Sequence, residues 1–547
     1  MESNIGCLGL IKFGLIKFRF IKFGVVKTMG LCLAVLFLLL GIFSACDSRD
    51  SLEEVQVRDH FRNVYVVFVY SFYDTTGDGV GDLQGVIRQL DYISCPEVGL
   101  GADAIWMLPI HPAVSYHGYD VTDFMAINPL FGTLEDFDEL IAAANERGVS
   151  IILDLVINHT SDRHPWFMNA RYEIRHETER HYFYFYNIVQ GRPPGSSWYS
   201  LMRGYYYEGF FWSGMPDLNF NNPDVKAEIE EVVRFWLDRG VHGFRLDAVK
   251  HIFPTEPENH VFWAWFSDMV RAIDPNVFIV GEVWDNENVI MPYYGTGFNS
   301  LFNFRFEGQD GLVNQAIQSQ NGNALVSQIV RTTALIQHFA PEDDADILVL
   351  MDSVFLSNHD TNRSGDFLET EAQRKLAAAI YLLIPGVSYI YYGEEISMTG
   401  SGRDENKRAP MLWSMEDQTG QTRGPRDMNV RPQLAEGVAE ALARPDSLLN
   451  YYRAVIAAKN RHPEIARGMP GAIGSGPASV VMYEVVFDGR RVIIAHNFSP
   501  DAVGFEVDFG DAVEIVERLN PHDIYGGGFY LDVGELVLPG YGTVIIR

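Results

Sequence analysis

Arg245 and Asp247 stand two residues apart inside the apolar run 241–249, which reads as a short buried strand after Gly240. On a strand, residues i and i+2 share a face. A guanidinium and a carboxylate on a buried face cost desolvation unless they pair. Taken alone, the two read equally well as a structural ion pair. Three further strand-like runs carry acids: Asp154 in 150–159, Glu282 in 277–284 and Asp360 in 354–360. Several acids at the C-terminal ends of successive buried strands point to a site, because barrel enzymes place their chemistry there. A chemistry based on carboxylates is expected.

The elements that must hold these acids follow a repeating order. Strands are expected at 64–70, 102–109, 150–159, 241–249, 277–284, 300–306, 354–360 and 386–393. Helical patterns lie between them at 134–147, 223–239 and 371–384, the second with Pro223 near its start, where proline is favoured. This alternation predicts an α/β fold, a (β/α)8 barrel, over residues 61–159 and 218–464. Residues 160–217 break the alternation and are rich in Tyr, Trp, Gly and Pro, as an inserted subdomain would be. A closing helix is expected at 447–460. Beyond it, short runs at 480–487, 491–497, 502–509 and 535–538 alternate with Gly, Asp and Pro turns. They predict an antiparallel β-sandwich over 465–547.

The chain has 547 residues, room for two or three domains, and its 47% apolar content fits a soluble globular protein. A formal net charge of −30 argues against nucleic acid as a partner. Aromatic residues, at 13%, can face the apolar sides of sugar rings, although large cores use them too. Lys12, Lys17, Arg19, Lys22 and Lys27 precede an uncharged apolar run at 31–43, too short for a membrane span, and Ser44, Ala45 and Cys46 follow it. This is a secretory pattern. It resembles a bacterial lipoprotein signal, with Phe43 replacing the usual Leu. That reading makes 1–45 a signal peptide, Cys46 a lipidated first residue and 46–60 a tether. The protein would then be exported and anchored to a membrane through Cys46. A plain signal peptide cut near Ala45 is the other reading. Cys7 and Cys32 would be lost on processing, leaving Cys46 and Cys95. With Cys46 lipidated no intrachain disulfide can form, so core packing or metal must hold the fold.

A candidate metal loop lies at 74–82. Asp74, Thr76, Asp78 and Asp82 offer hard oxygens at alternate positions, the Val80 carbonyl could add another, and Gly77, Gly79 and Gly81 permit a tight curl. This resembles the first half of a calcium loop, without the Glu that an EF-hand carries at its twelfth position. A simple Gly-Asp turn is the plain alternative.

Together the motifs resemble the α-amylase family of glycoside hydrolases across about residues 60–547. Asp-Leu-Val-Ile-Asn-His (154–159), Gly-Phe-Arg-Leu-Asp-Ala-Val-Lys-His (243–251), Val-Gly-Glu-Val-Trp (280–284) and Phe-Leu-Ser-Asn-His-Asp (355–360) are similar to its first four conserved regions. Met-Pro-Asp-Leu-Asn (215–219) resembles its fifth, in a form intermediate between oligo-1,6-glucosidases and neopullulanases. The resemblance implies Asp247 as nucleophile held by Arg245, Glu282 as general acid and base, and Asp360 as transition-state stabiliser. It implies Tyr119, in His117-Gly-Tyr-Asp, as the platform under the sugar, with His159 and His359 hydrogen-bonding that sugar. Lys250 and His251 would serve the leaving-group side. It implies calcium at 74–82, with Asn158, Asp217 and the His251 carbonyl as a further candidate set. Such an enzyme needs one ionised and one protonated carboxyl group about 5 Å apart. Arg245 is expected to keep Asp247 ionised, and a less polar setting to keep Glu282 protonated.

The activity so implied is internal cleavage of α-1,4 bonds in starch-like glucans and maltooligosaccharides by a monomer. An α-glucosidase or oligo-1,6-glucosidase, or a glucan-transferring enzyme, is the nearest alternative. Transporter heavy-chain ectodomains share the fold but lack the acidic triad, which is complete here.

Overall fold

A computed structural model describes residues 61–340, 351–474, 476–509, 514–524, 527–532 and 534–547. Cys46, the leader and the tether lie outside the described residues. Eight strands, β1 (Asn63–Val67), β2 (Ala104–Met107), β3 (Ser150–Leu155), β4 (Gly243–Leu246), β5 (Phe278–Gly281), β6 (Ser300–Phe302), β7 (Met351–Phe355) and β8 (Val387–Tyr391), form a closed barrel. Each pairs in parallel with the strands before and after it, and β1 closes on β8. Every residue of the eight strands is buried. Helices cover the outside and side chains fill the inside, so the strands read as continuous apolar runs.

The strands are shorter than their apolar runs. β3 ends at Leu155, β4 at Leu246, β5 at Gly281 and β7 at Phe355. The expected extensions to His159, Val249, Trp284 and Asp360 are instead loops that leave the barrel rim and stay mostly buried. Hydropathy reports burial, not hydrogen bonding, so buried loops read as strand.

Helix starts follow local chemistry. The helix Leu134–Glu146 opens with a reciprocal cap between Thr133 and Asp136, and Glu371–Leu383 with one between Thr370 and Gln373. Asn222 caps Pro223–Asp238 and Ser447 caps Leu448–Arg461. Each cap satisfies amides that would otherwise lack partners, worth about 1 kcal/mol.

After β3 the insertion forms a helix, Pro165–His176, and a small antiparallel sheet with Tyr205–Glu208 between Ile188–Gln190 and Trp198–Ser200. Past the barrel, five antiparallel strands (Met469–Ile473, Val480–Phe487, Arg490–Asn497, Thr543–Ile546, Ile515–Leu519) face three (Val503–Glu506, Glu535–Leu538, Tyr530–Asp532) across a shared apolar core. Glu464, wholly buried, accepts from both Arg490 and Arg547 and ties the last barrel helices to this domain. Among the described residues no helix is long and apolar enough to cross a membrane.

Candidate active site

The register of the barrel places the two central acids. Leu246 of β4 pairs with Gly281 of β5, so Asp247 and Glu282 each stand one residue beyond a paired couple. Neighbouring strands lie about 4.8 Å apart, so the two carboxyl groups leave the rim side by side. The Glu282 amide donates to the Leu246 carbonyl and the Val249 amide to the Glu282 carbonyl, which locks the two exits together. Ala248 follows Asp247 at φ +52°, in the left-handed region that a non-glycine residue enters at a cost. That turn separates the strand end from the short helix 249–251. No side chain fits before Glu282 either: a Cβ on Gly281 would lie 2.6 Å from the ring of Phe298.

Arg245 lies at the centre, almost fully buried. Its Nη1 donates to Asp247 Oδ1 at 2.7 Å and to Asp154 Oδ1 at 2.8 Å, and its Nη2 lies 2.8 Å from Glu282 Oε1. Arg245 thus serves Asp154 and Glu282 as well as Asp247, and Asp154 beneath them is its deepest partner. Burial raises Glu282 to about 8, with Asp247, Asp360 and Asp154 adding to the rise and Arg245 opposing it. Desolvation therefore outweighs the guanidinium, and Glu282 is protonated at neutral pH.

Tyr119 sits on Gly118, whose φ of +86° and close approach to Pro109 exclude a side chain. Its hydroxyl donates to Asp154 Oδ2 at 2.9 Å and lies 2.7 Å from His359 Nε2, and the Tyr119 and His359 rings stack 5.5 Å apart. His359 is fully buried, and its Nε2 also meets Asp360 Oδ2 at 2.9 Å. His359 thus stands behind Tyr119 and Asp360. Burial opposes ionisation of Asp360, but His359 and Arg408 outweigh it and hold the carboxyl well below the usual range. Arg408 Nη2 lies 3.2 Å from Asp360 Oδ1, and Lys407 Nζ donates to the Asp360 carbonyl at 2.6 Å.

These groups open into a cavity of about 670 Å³. His117, Tyr119, His159, Asp247, Lys250, His251, Glu282 and Asp360 all reach it, whereas Arg245 and His359 lie behind its wall. His159 Nε2 is 3.2 Å from the Tyr119 carbonyl and Nδ1 is 3.0 Å from Asn158 Oδ1. Lys250 Nζ donates to the Trp284 carbonyl at 2.8 Å and to Asp285 at 2.7 Å, which leaves one of its three N–H groups. The His251 ring stacks on Phe210 at 4.0 Å, and burial lowers it to about 4, so it is neutral. Phe211, Trp212, Trp284, Asp404 and Arg408 also line the cavity. Of these, Trp284 stood at the end of the expected strand 277–284, whereas Phe211, Trp212, Asp404 and Arg408 come from segments without periodicity and carried no expected role. Only the aromatic density of 205–212 signalled any of them.

The loop 74–82 curls through Gly77 and Gly79, both at positive φ. Asp74 accepts from the amides of Thr76, Gly77 and Gly79, which overcome its burial and lower its pKa. Asp82 caps the next helix through Gly85 and accepts from Thr75. Asp78 accepts from Val80. The oxygen donors suit a hard cation. At the further candidate set, Asn158 Nδ2 donates to the His251 carbonyl at 2.6 Å, and Asp217 forms a bridge with His159. Asp217 Oδ1 is buried without a hydrogen-bond partner, and burial, opposed by the Phe210 amide, raises the carboxyl to about 8. An orphaned carboxyl oxygen is the kind of donor that a hard cation takes. Among the described residues no three His, Cys, Asp or Glu side chains converge on one point.

Residues 66–468 match the family model for the α-amylase catalytic domain. The chain is 36% identical to α-amylase 3 of Dictyoglomus thermophilum, over 88% of this chain and 92% of that one. It is 31% identical to a glucan 1,6-α-glucosidase of Streptococcus pneumoniae, over 82% and 93%. The crystal structure of an α-amylase from H. orenii superposes with a TM-score of 0.80 at 35% identity, over 89% of this chain and 99% of that one.

Proposed function

Because the chain belongs to the α-amylase family of glycoside hydrolases, we propose that it cleaves internal α-1,4 bonds of starch-like glucans and maltooligosaccharides with retention of configuration. The observation that carries this reading is the side-by-side exit of Asp247 and Glu282 from β4 and β5 into one cavity, with Arg245 between them.

In this reading Asp247 attacks the anomeric carbon from one face while Glu282 gives its proton to the departing oxygen. The glycosidic bond breaks and a glycosyl ester forms on Asp247. The freed Glu282 carboxylate then takes a proton from water, which attacks the same carbon and releases Asp247. Asp360, held ionised by Arg408 and His359, faces the positive charge that develops on the sugar. Tyr119 supports the ring from below. Arg245 keeps Asp247 an acceptor and aims it. Calcium, bound by Asp74, Thr76, Asp78, Val80 and Asp82, would supply rigidity to the loop after β1 and take no part in the reaction. The set Asn158, Asp217 and the His251 carbonyl is the proposed second position.

A second reading, an exo-acting α-glucosidase or oligo-1,6-glucosidase, is favoured by the likeness to the Streptococcus enzyme and by Met-Pro-Asp-Leu-Asn at 215–219. Transfer of the glycosyl unit to another sugar would use the same covalent intermediate. Viscometry of soluble starch together with product sizing separates the readings. Internal cutting gives a fast viscosity fall with maltose, maltotriose and longer products. Glucose alone at unchanged viscosity supports the exo-acting reading instead.

A further inference from the structure

Arg363 stands three residues past Asp360, is 1% exposed, and has no part in the double displacement. A buried guanidinium is costly unless its donors are met. Here carbonyls meet them rather than a carboxylate. Nε donates to the Lys407 carbonyl at 2.7 Å and Nη1 to the Tyr392 carbonyl at 2.7 Å. The ring centres of Tyr391 and Tyr392 lie 4.2 and 4.7 Å from its central carbon, within cation–π range. Nη2 meets no acceptor.

The segment so gripped is the one that grips Asp360. Lys407 Nζ donates to the Asp360 carbonyl at 2.6 Å, and Arg408 Nη2 pairs with Asp360 Oδ1 at 3.2 Å. The Tyr391 hydroxyl gives the Lys407 carbonyl a second donor at 3.1 Å. Backbone contacts join the same two loops. The Arg363 amide donates to the Gly400 carbonyl, the Gly400 amide to Asp366 and the Gly402 amide to Asn362. Arg363 therefore fixes the backbone from which Lys407 and Arg408 both reach back to Asp360.

The guanidinium of Arg408 has little else to aim it. Its Nη1 reaches the Asp404 carbonyl only at 3.4 Å, and its Nε has no acceptor. The Lys407 carbonyl shares one peptide plane with the amide and Cα of Arg408. Holding that carbonyl orients the root of the Arg408 side chain.

We propose that Arg363 is a positioning residue for Asp360: it clamps the Lys407 carbonyl so that Arg408 meets the Asp360 carboxylate and aims it at the sugar. This rests on the role given to Asp360 above. Asp360 faces a charge that develops only in the transition state. A displaced Arg408 therefore lowers kcat and leaves KM near its wild-type value.

The test measures kcat and KM on an aryl α-maltoside for wild type, Arg363→Lys, Arg408→Lys and the double variant, with melting temperatures as a check on folding. Lysine at 363 keeps the charge but lacks the fork that reaches two carbonyls. Arg363→Lys is expected to lose about tenfold in kcat with KM within about twofold of wild type. In the Arg408→Lys background the same change should cost less than about twofold, because both substitutions break one path. Equal losses in the two backgrounds, a loss carried by KM, or an unchanged kcat overturn the proposal. If Arg363→Lys does not fold, Tyr391→Phe takes its place, since it removes only the second donor to the Lys407 carbonyl. It should lose about threefold in kcat, and nothing further once Arg408 is lysine. No loss, or the same loss in both backgrounds, overturns the proposal. Asp360→Asn with a wild-type kcat would instead overturn the role of Asp360 itself.

Discussion

Glu282 is where environment decides chemistry. A glutamate free in water titrates near about 4.3 and would be spent as an acid at neutral pH. Burial carries it to about 8 against the pull of Arg245. The working form is the protonated one, so activity falls as pH rises through that value. We expect kcat/KM on an aryl maltoside to decline above pH about 8, approaching tenfold per pH unit. Glu282→Gln should lower the rate by about 10²- to 10⁴-fold and abolish that limb. A basic limb that survives the substitution assigns it to another group. Asp247 and Glu282 were legible because the barrel puts them one residue past strand ends, and Asp360 because its buried loop reads as a continuation of β7. The sharing of Arg245 and the retreat of His359 behind Tyr119 were not, since both depend on which way side chains turn at a crowded rim. Arg408 was invisible for a different reason: it comes from a loop far along the chain, and nothing in its neighbours marks it.

At the scale of elements, two buried arrangements carry expectations. Glu394 and Glu395, in the turn after β8, lie buried among tyrosines. Glu394 accepts from Ser357, Tyr381 and Tyr452, and Glu395 from Tyr65 and Tyr92. Burial raises Glu394 to about 7. Its folded pKa lies above the unfolded one, so the folded state holds the proton more firmly. Stability from this group is full below pH about 4.3 and is lost as pH rises through about 7. The loss is of order 3–4 kcal/mol. Glu394→Gln should flatten the fall in melting temperature between pH 5 and 7; an unchanged slope would place that titration elsewhere. The loop 74–82 gives the second expectation. If it holds calcium, a chelator should lower the melting temperature, because an ion that binds only the native state stabilises it by mass action, about 2.7 kcal/mol at a hundredfold excess over Kd. Asp78→Ala should melt at one temperature with or without chelator. A chelator response equal to that of wild type would place the ion elsewhere. Element order and type were readable from periodicity and caps. Strand ends were not, because the loops beyond them stay buried. In the last domain, Met469–Ile473, Ile515–Leu519, Tyr530–Asp532 and Thr543–Ile546 were too short or too polar to stand out.

For the whole molecule, the acidic balance and the leader bear on where the enzyme works. We propose that Cys46 is lipidated and that residues 46–60 tether the catalytic unit to a membrane. One acyl chain binds only marginally, and several anchor stably. Cys46→Ser should release the protein from the membrane fraction or block its processing; unchanged membrane association refutes the anchor. Cys95 is the one free cysteine among the described residues, so no disulfide among them depends on Cys46, and neither outcome should alter melting of the catalytic unit. That unit is a barrel whose rim places Asp247 and Glu282 side by side, under an insertion rich in exposed rings. The mechanism proposed for it is double displacement at Asp247. Proton NMR of the first products from soluble starch tests it most directly. New reducing ends are expected to appear as the α-anomer and only later to equilibrate, with Asp247→Asn folded but nearly inert. New ends appearing first as the β-anomer would contradict it.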